Sequence, residues 1–191
     1  IQNGNFANGT TGWGANESTR VVIDNILIHT ANEGTLVPTM YQDMPIKPYA
    51  GQKVYVEALV EVSQDCTMFD IYTWTPETSA TLLRFTTPTH STYALYSGVV
   101  THNVASSRDI GLYLRPRYSE DATNKVMKVK EVMAIDLTAT FGADSEPTVE
   151  QCNKMFANWF DGTVSTPSAM RIVSENKDET ERSEMYIPDC G

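Results

Sequence analysis

The stretch QKVYVEALVEV, residues 52 to 62, constrains the fold more than any other part of the sequence, because apolar residues recur at every second position. Successive side chains of an extended strand point to opposite faces of a sheet, so this period is that of a β-strand. One face would hold Val54, Val56, Ala58, Val60 and Val62, and the other Tyr55, Glu57, Leu59 and Glu61. Such a strand needs a second layer against its apolar face, which favours two packed sheets.

The same period recurs in CTMFDIYTW, residues 66 to 74, and in RDIGLYLRPRY, residues 108 to 118. The predicted inward residues of these two strands are Phe69, Ile71, Thr73, Ile110, Leu112 and Leu114. The predicted outward residues are Asp70, Tyr72, Trp74, Tyr113, Arg115 and Arg117. TRVVIDNILIHT, residues 19 to 30, is a further candidate strand. Turn residues separate about eight to ten such runs, and no strand–helix–strand rhythm occurs, so the sequence predicts an all-β fold, a jelly-roll-like antiparallel β-sandwich.

The last long run, KVMKVKEVMAIDLT at residues 125 to 138, loses strict alternation at Glu131 and Val132. Two consecutive residues that need a place on one strand predict a β-bulge there. The apolar residues from Met133 to Phe141 are also typical of a strand, and the run breaks at Gly142. We therefore expect no helix before residue 145.

One C-terminal α-helix is predicted after that break. Thr148-Val149-Glu150-Gln151 has the form of a capping box, and Asp161-Gly162 is typical of a helix end. An apolar stripe at helical spacing lies between them and consists of Cys152, Met155, Phe156, Trp159 and Phe160. A helix this short is marginal by itself, so we expect its stripe to dock on the sandwich.

These elements predict three segments: a β-sandwich over residues 1–143, the docked helix that closes it over 144–163, and a linker with a terminal β-hairpin over 164–191. A lone hairpin is not stable, so the last segment is expected to lead to a further module. Because the chain begins with Ile1 rather than Met, we expect it to be part of a longer protein.

Charge and cysteine content narrow the classes of partner. The chain has 14 Lys and Arg against 24 Asp and Glu, for a net charge of −10, and such an excess of carboxylates repels phosphate backbones and anionic lipids. We therefore expect no nucleic-acid partner. No run approaches the ~18 apolar residues that membrane insertion needs. The three cysteines have no metal-ligand spacing and predict free thiols.

No set of residues in the sequence predicts catalysis. The three histidines are scattered, and no Gly-x-Ser-x-Gly nucleophile turn occurs. Glu57, Glu61 and Asp70 would be outward neighbours on adjacent strands, but a glycosidase needs two carboxylates at a distance that only the fold can fix. We interpret them as a solvated strand face and predict that the chain is not an enzyme.

Two segments resemble known families. The head NGNFANGTTGW, residues 3 to 13, is similar to the start of jelly-roll carbohydrate-binding modules attached to xylanases and related enzymes. VMAIDLTATFGADSEPTVEQCNKMFANWFDGT, residues 132 to 163, resembles a segment of tail and baseplate structural proteins from phages and prophages of Gram-positive bacteria, where it closes a carbohydrate-binding-module-like sandwich. Together the two segments bracket residues 3 to 163, which is most of the chain.

The resemblance implies a non-catalytic module of a phage tail or receptor-binding protein that binds a host cell-surface saccharide during adsorption. Its location would be the virion, and its partners would be the host saccharide, other tail-protein modules and, in a homotrimer, copies of itself. Two alternatives stay open. One is a carbohydrate-binding module of a secreted polysaccharide-degrading enzyme, and the other is a purely structural or trimerisation spacer.

A saccharide site needs exposed aromatic rings that stack on the sugar, with charged or amide groups that bond its hydroxyls. The predicted outward group Asp70, Tyr72 and Trp74 has this composition, with Tyr55 and Glu57 on a possible neighbouring strand. A second candidate group consists of Tyr113, Arg115, Arg117 and Tyr118. The alternative is that Trp74 is packed under a loop or under the helix with its Trp159, since large aromatic residues are more often buried.

Calcium is the cofactor that the resemblance implies. Jelly-roll carbohydrate-binding modules often hold one structural Ca²⁺ between the first-strand region and a carboxylate of the last strand. By resemblance that carboxylate would be Asp136, with oxygen ligands near Asn3 to Asn5. The enzyme-linked modules have an acidic residue where this chain has Asn5. The alternative role for Asp136 is to cap a turn.

Overall fold

The computed structural model describes residues 1–35 and 37–157 and the backbone of residues 172–173 and 184–185; for residues 78–81 it likewise describes the backbone. The described chain divides into two units, Ile1–Glu150 and Gln151–Gly191. The strands of the first unit are β1 (Gly14–Asn16), β2 (Ser18–Ile23), β3 (Ile26–Ala31), β4 (Thr39–Met44), β5 (Lys53–Val62), β6 (Cys66–Thr75), β7 (Thr78–Phe85), β8 (Ala94–Thr101), β9 (Ile110–Tyr118) and β10 (Val126–Asp136). Two helices follow, α1 (Leu137–Phe141) and α2 (Val149–Met155).

The ten strands form two five-stranded sheets, and every neighbouring pair within them is antiparallel. One sheet, here called the front sheet, has the order β1-β4-β9-β6-β7. The other, the back sheet, has the order β2-β3-β10-β5-β8. The predicted antiparallel β-sandwich is therefore confirmed. β6 and β9 are neighbours although about forty residues separate them, and this pairing determines the site described below.

Both sheets bury one face in a common core, as the period of two predicts. Val54, Val56 and Val60 of β5 are fully buried on the back sheet, and Phe69 and Ile71 of β6 are fully buried on the front sheet. The bulge in β10 is also confirmed, because its pairing with β5 shifts between residues 129 and 131. Burial of one complete face fixes the register of each strand, since a slip by one residue would turn the apolar set to solvent.

The predicted single strand over residues 19 to 30 is wrong, because the structure has a hairpin there. β2 ends at Ile23, β3 begins at Ile26, and Asp24 and Asn25 form the turn with φ of 51° and 59°. Asp and Asn tolerate left-handed φ better than other residues with a Cβ, and two such residues in sequence suit a tight hairpin turn.

The expectation of no helix before residue 145 is also wrong, since β10 ends at Asp136 and α1 follows at once. The Asp136 Oδ1 accepts a hydrogen bond from Ala139 N at 2.9 Å and so caps the helix. Gly142, with φ of 91°, ends the helix, and its N–H donates to the Thr138 carbonyl at 3.0 Å. The described residues thus contain two short helices, where the sequence predicts one.

α2 begins at the predicted place, immediately after Thr148, and buries Cys152. Its described residues end at Met155, whereas Trp159, Phe160 and the predicted end at Asp161-Gly162 lie outside the described residues. In the second unit, β11 (Ile172–Val173) pairs antiparallel with β12 (Glu184–Met185). The three-segment division of the chain and the docking of the helix stay predictions. No helix in the described part of the chain is long and apolar enough to cross a bilayer.

Candidate functional site

The outer side of the front sheet, here called the front face, brings together two groups that the sequence treats as separate. Tyr72 of β6 lies opposite Tyr113 of β9, and Asp70 lies opposite Arg115. β7 adds residues on the other side of β6, since Leu82 pairs with Tyr72. The front face therefore holds Asp70, Tyr72, Trp74, Tyr113, Arg115 and Arg117, all predicted, together with Tyr41, Leu82 and Arg84.

Three tyrosines from adjacent strands stack side by side across the front face, and we call them the aromatic row: Tyr41, Tyr113 and Tyr72. The Tyr41 and Tyr113 ring centroids are 5.3 Å apart, and those of Tyr72 and Tyr113 are 4.8 Å apart at 14°. Trp74 meets Tyr113 edge-on at 6.2 Å. Trp74 is 41 % exposed, so its ring is open to solvent rather than packed, and Leu82 beside it is 39 % exposed.

Two glycines let these rings lie across the sheet. A Cβ on Gly111, the cross-strand partner of Trp74, would come within 2.6 Å of Cε2 of Tyr113. A Cβ on Gly14, which pairs with Tyr41, would overlap the Tyr41 ring in the same way. Each tyrosine ring thus occupies the space above a glycine. The absence of a side chain at these two positions makes the aromatic row possible.

Next to the aromatic row lies the arginine cluster, in which Arg84, Arg115 and Arg117 surround Asp70. The Asp70 Oδ1 accepts from Arg84 Nε at 2.9 Å, and Oδ2 accepts from Arg115 Nη2 at 3.0 Å and from Arg117 Nε at 2.6 Å. Burial of Asp70 would raise its pKa, but the hydrogen bonds from the three arginines outweigh that effect and the pKa is lowered. Asp70 is therefore an ionised, fully buried anchor for three guanidinium groups.

The guanidinium groups themselves reach solvent. The side chains of Arg84, Arg115 and Arg117 are 39 %, 22 % and 29 % exposed. Cζ of Arg115 lies 4.5 Å from the centroid of the Tyr72 ring, so this arginine connects the cluster to the aromatic row. The front face thus has flat apolar surface and charged hydrogen-bond donors side by side.

Two shallow clefts cover this region. The first has a volume of ≈ 470 Å³ and is lined by Tyr72, Trp74, Leu82, Tyr113 and Arg115. The second has a volume of ≈ 580 Å³ and shares Trp74 and Tyr113 with the first. It continues over the exposed Asp43 towards the loops with Lys47 and Arg108. Trp74 and Tyr113 therefore form a ridge between the two clefts.

Three of the sequence interpretations fail here. Tyr55 and Glu57 lie on β5 in the back sheet, so they are not on a strand next to β6, and Glu57 and Asp70 are not neighbours. Glu61, on β5 as well, is equally remote from Asp70 in the strand order. Tyr118 shares the inward face of β9 and is 8 % exposed, so it belongs to the core. Strand adjacency causes the errors at Tyr55, Glu57 and Glu61, because alternation assigns faces but does not assign neighbours. Tyr118 is an error of face, since the alternation of Ile110, Leu112 and Leu114 already assigns it inward.

Sequence reasoning also missed Tyr41 and Arg84. Tyr41 lies between Met40 and Gln42, in a run that Pro38 interrupts, and Arg84 has no polar residue directly beside it in the sequence. Both enter the front face only because β4 and β7 flank the β9–β6 pair. The alternation around Arg84, with Leu83 and Phe85 partly buried against the core, was the available indication that Arg84 faces outward.

The two predicted calcium ligands have protein partners. The Asp136 carboxylate accepts from Ala139 N through Oδ1 and from Gln52 Nε2 at 2.6 Å through Oδ2. Asn5 Oδ1 accepts from Ala7 N at 3.3 Å. Gln52 Oε1 is buried with no hydrogen-bond partner in the described structure, and an amide oxygen is a ligand that Ca²⁺ prefers. The described residues contain no cluster of three His, Cys, Asp or Glu side chains that could hold a metal.

Comparison with known proteins supports the fold. No protein-family model matches the sequence, and no curated protein does. A solved structure described as "CBM4 structure and function" matches with a TM-score of 0.55 at 10% identity and covers 69% of this chain and 99% of that one. CBM denotes a carbohydrate-binding module.

Parts of two longer proteins are similar too. An arabinose-bound GH51 α-L-arabinofuranosidase matches with a TM-score of 0.53 at 9% identity, over 67% of this chain and 23% of that chain. The enzymatically active domain of tailspike protein 4 from bacteriophage CBA120 matches with a TM-score of 0.51 at 11% identity, over 70% of this chain and 21% of that chain. At such identities the likeness shows the fold: an antiparallel β-sandwich of the kind found in carbohydrate-binding modules.

Proposed function

We propose that the chain is a non-catalytic carbohydrate-binding module and that the front face binds the saccharide. The observation that supports this most directly is the aromatic row with the exposed Trp74 at its side. Sugar rings present C–H faces that stack on aromatic rings, and such stacking favours rings held rigidly on strands. Tyr113 lies at the centre of this platform, between Tyr41 and Tyr72.

The arginine cluster would bond the edge of the stacked sugar. Asp70 is too deeply buried to contact a ligand, so its role would be to position the three arginines that present donors to solvent. A glycosidase needs one carboxylic acid with a raised pKa that protonates the leaving oxygen. The pKa of Asp70 moves the other way because of its arginines, despite burial, and this supports binding rather than catalysis.

The biological setting that we propose is a phage tail, in which the module binds a host-surface saccharide during adsorption. The resemblance of residues 132 to 163 to tail and baseplate proteins supports this location in the virion. The alternative, a module of a secreted polysaccharide-degrading enzyme, needs the same front face. The flanking domains of the full-length protein distinguish the two, because tail domains support the first and a glycoside hydrolase domain supports the second.

A glycan array and a pull-down with Gram-positive cell walls, each with wild type and two tyrosine variants, test the proposal. Tyr72→Ala removes a ring of the aromatic row that has Arg115 above it. Tyr93→Ala is the matched control, because Tyr93 is also half-buried with a cation above its ring, Lys130 at 4.1 Å. Stacking on one ring contributes about 1 kcal/mol, so we expect Tyr72→Ala to weaken binding about fivefold or more.

Tyr93→Ala should bind the saccharide as wild type does. The Tyr93 ring lies against Lys130, and Lys130 belongs to β10 in the back sheet rather than to the front face. Equal binding by both variants would contradict a site on the front face. If the chain binds no saccharide and has a trimeric mass in solution, the alternative that it is a trimerisation spacer is supported instead.

We also propose that Asp136 binds a structural calcium ion, with Gln52 Oε1 as a second oxygen ligand. An ion that binds only the native state must raise the melting temperature by mass action. We expect a chelator to lower the melting temperature of wild type and to have no effect on Asp136→Asn. If the chelator leaves the melting temperature of wild type unchanged, the calcium proposal fails and Asp136 serves as the cap of α1 alone.

A further inference from the structure

The arginine cluster has more positive charge than its own carboxylate neutralises. Arg84, Arg115 and Arg117 all form ion pairs with Asp70, and none of them has a second ion pair among the described residues. Within the described part of the chain, two positive charges on the front face therefore have no carboxylate of their own. This excess occurs in a chain whose net charge is −10.

The other ion pairs of the described structure are one to one. Examples on the back sheet and at its edge are Lys128 with Glu61 at 2.7 Å and Lys53 with Glu146 at 3.0 Å. A single arginine in bidentate contact would satisfy Asp70 in the same manner. Two further arginines concentrate positive charge without adding a partner for it, which costs free energy unless an anion binds.

The position of the excess charge relative to the aromatic row points to the ligand. Asp70 and Arg115 are two residues from Tyr72 and Tyr113 on the same strands and the same face, a distance of about 6.5–7 Å. That distance is comparable to the width of a sugar ring. A sugar stacked on these tyrosines would direct its ring substituents to the guanidinium groups. The opposite end of the platform has mixed charge, since the cleft there is lined by Asp43 and Asp109 together with Lys47 and Arg108.

We propose that the front face selects an anionic saccharide, a sugar chain that bears carboxylate or phosphate groups, and that Arg84, Arg115 and Arg117 bind the acidic group. This inference rests on the proposed saccharide site and adds the class of its ligand. The planar guanidinium forks suit both carboxylate and phosphate, and Arg115 is held in place by Tyr72 and Asp70 together. The Asp43 end, where acidic and basic side chains balance, would bind the neutral part of the chain.

Matched polymers test the inference by titration calorimetry with the intact chain. Polygalacturonate oligomers, the same oligomers after carboxyl reduction, and the reduced oligomers after phosphorylation are the probes, so that the sugar chain is the same and the two acidic polymers separate carboxylate from phosphate. We expect at least one acidic polymer to bind about tenfold tighter than the neutral one, since a hydrogen bond between charged groups contributes that much. The preference should shrink as salt is raised, because salt screens exposed charges.

Two variants separate charge selection from a structural role of the arginines. Arg84→Gln removes one charge and leaves two arginines on Asp70, and Arg117→Gln serves as a second variant of the same kind. Both should weaken binding of the acidic polymer by a larger factor than binding of the neutral polymer, and so reduce the preference for the acidic one. Arg20→Gln, an exposed arginine on β2 of the back sheet, is the charge-matched control and should change neither.

The inference is overturned if neither acidic polymer binds more tightly than the neutral polymer, or if Arg84→Gln and Arg117→Gln keep the full preference. That outcome is distinct from failure of the proposed function. A neutral glycan that binds on the array and loses affinity in Tyr72→Ala would keep the saccharide site and refute the anionic ligand.

Discussion

Each sheet of the sandwich has one buried carboxylate on the side away from the core, and the two are held in opposite ways. Asp70 on the front sheet is surrounded by three arginines. Glu57 on the back sheet is 6 % exposed and accepts a hydrogen bond from the Tyr55 hydroxyl. Burial raises the pKa of Glu57, with a further contribution from the charge of Glu131 and only partial opposition from Tyr55.

The two carboxylates differ in whether nearby cations compensate for their burial. At Asp70 the protein supplies three cations, so the carboxylate stays ionised in spite of burial, and the guanidinium groups remain available at the surface. At Glu57 no cation is paired with the carboxylate among the described ion pairs, and the neutral form is favoured. The front face therefore offsets the burial of its carboxylate with an excess of positive charge, whereas the burial of Glu57 on the back sheet raises its pKa.

The largest effect that we expect from a single substitution is on the front sheet. Asp70→Asn leaves three arginines without their anion, so the free energy of unfolding at neutral pH should fall by about 2–3 kcal/mol, as denaturant titration would measure. The lowered pKa of Asp70 means that its stabilisation is lost as pH falls below the unfolded value. The difference between wild type and Asp70→Asn should therefore narrow below about pH 4. A variant as stable as wild type would contradict the role of Asp70 as anchor.

Gly111→Ala should have the next largest effect, because its Cβ would press against the Tyr113 ring. Displacement of that ring should cost about 1–3 kcal/mol of unfolding free energy and weaken saccharide binding. The effect should shrink when Tyr113 is also replaced by Ala, so a double-mutant cycle measures the coupling of the two residues. Additive effects would show that the ring does not depend on the glycine.

Glu57→Gln should raise the free energy of unfolding, whereas Asp70→Asn should lower it. Glutamine can still accept from the Tyr55 hydroxyl and needs no buried charge, so we expect the free energy of unfolding to rise by about 1 kcal/mol at neutral pH. Because the folded-state pKa of Glu57 is raised, wild type is fully stabilised below the unfolded pKa and loses stability as pH rises through the folded pKa. The two proteins should converge at acid pH. If Glu57→Gln is less stable than wild type at neutral pH, the proposed difference between Glu57 and Asp70 is contradicted.

The smallest effect is expected at an ordinary ion pair of the back sheet. Glu61 and Lys128 are 2.7 Å apart, and their side chains are 20 % and 40 % exposed. Pairs of this kind contribute little, so Glu61→Gln should change the free energy of unfolding by less than about 0.5 kcal/mol. An effect as large as that of Asp70→Asn would show that the arginine cluster is not exceptional.

The fold was largely predictable because the apolar residues of β5, β6 and β9 recur with period two in the sequence, and the facing of Asp70, Tyr72 and Trp74 followed from the same pattern. The neighbours of these residues were not predictable. The pairing of β6 with β9 and β7 brings Arg115, Arg117 and Arg84 to Asp70, and it depends on long-range packing that no local pattern records. α1 was missed for a different reason. A helix of five residues is too short for its apolar spacing to be distinguished from that of a strand.

The arginine cluster also bears on how the chain finds its native alignment. Asp70 contacts arginines from both strands that flank β6. The ion pairs of this one side chain therefore depend on the register of two strand pairs. A slip of β7 or β9 by one residue would turn Arg84 or Arg115 to the apolar core, and a slip by two would separate the arginine from Asp70. A shifted register of β7 or β9 would therefore cost free energy through unsolvated charge as well as through exposed apolar surface, and the cluster favours the native register.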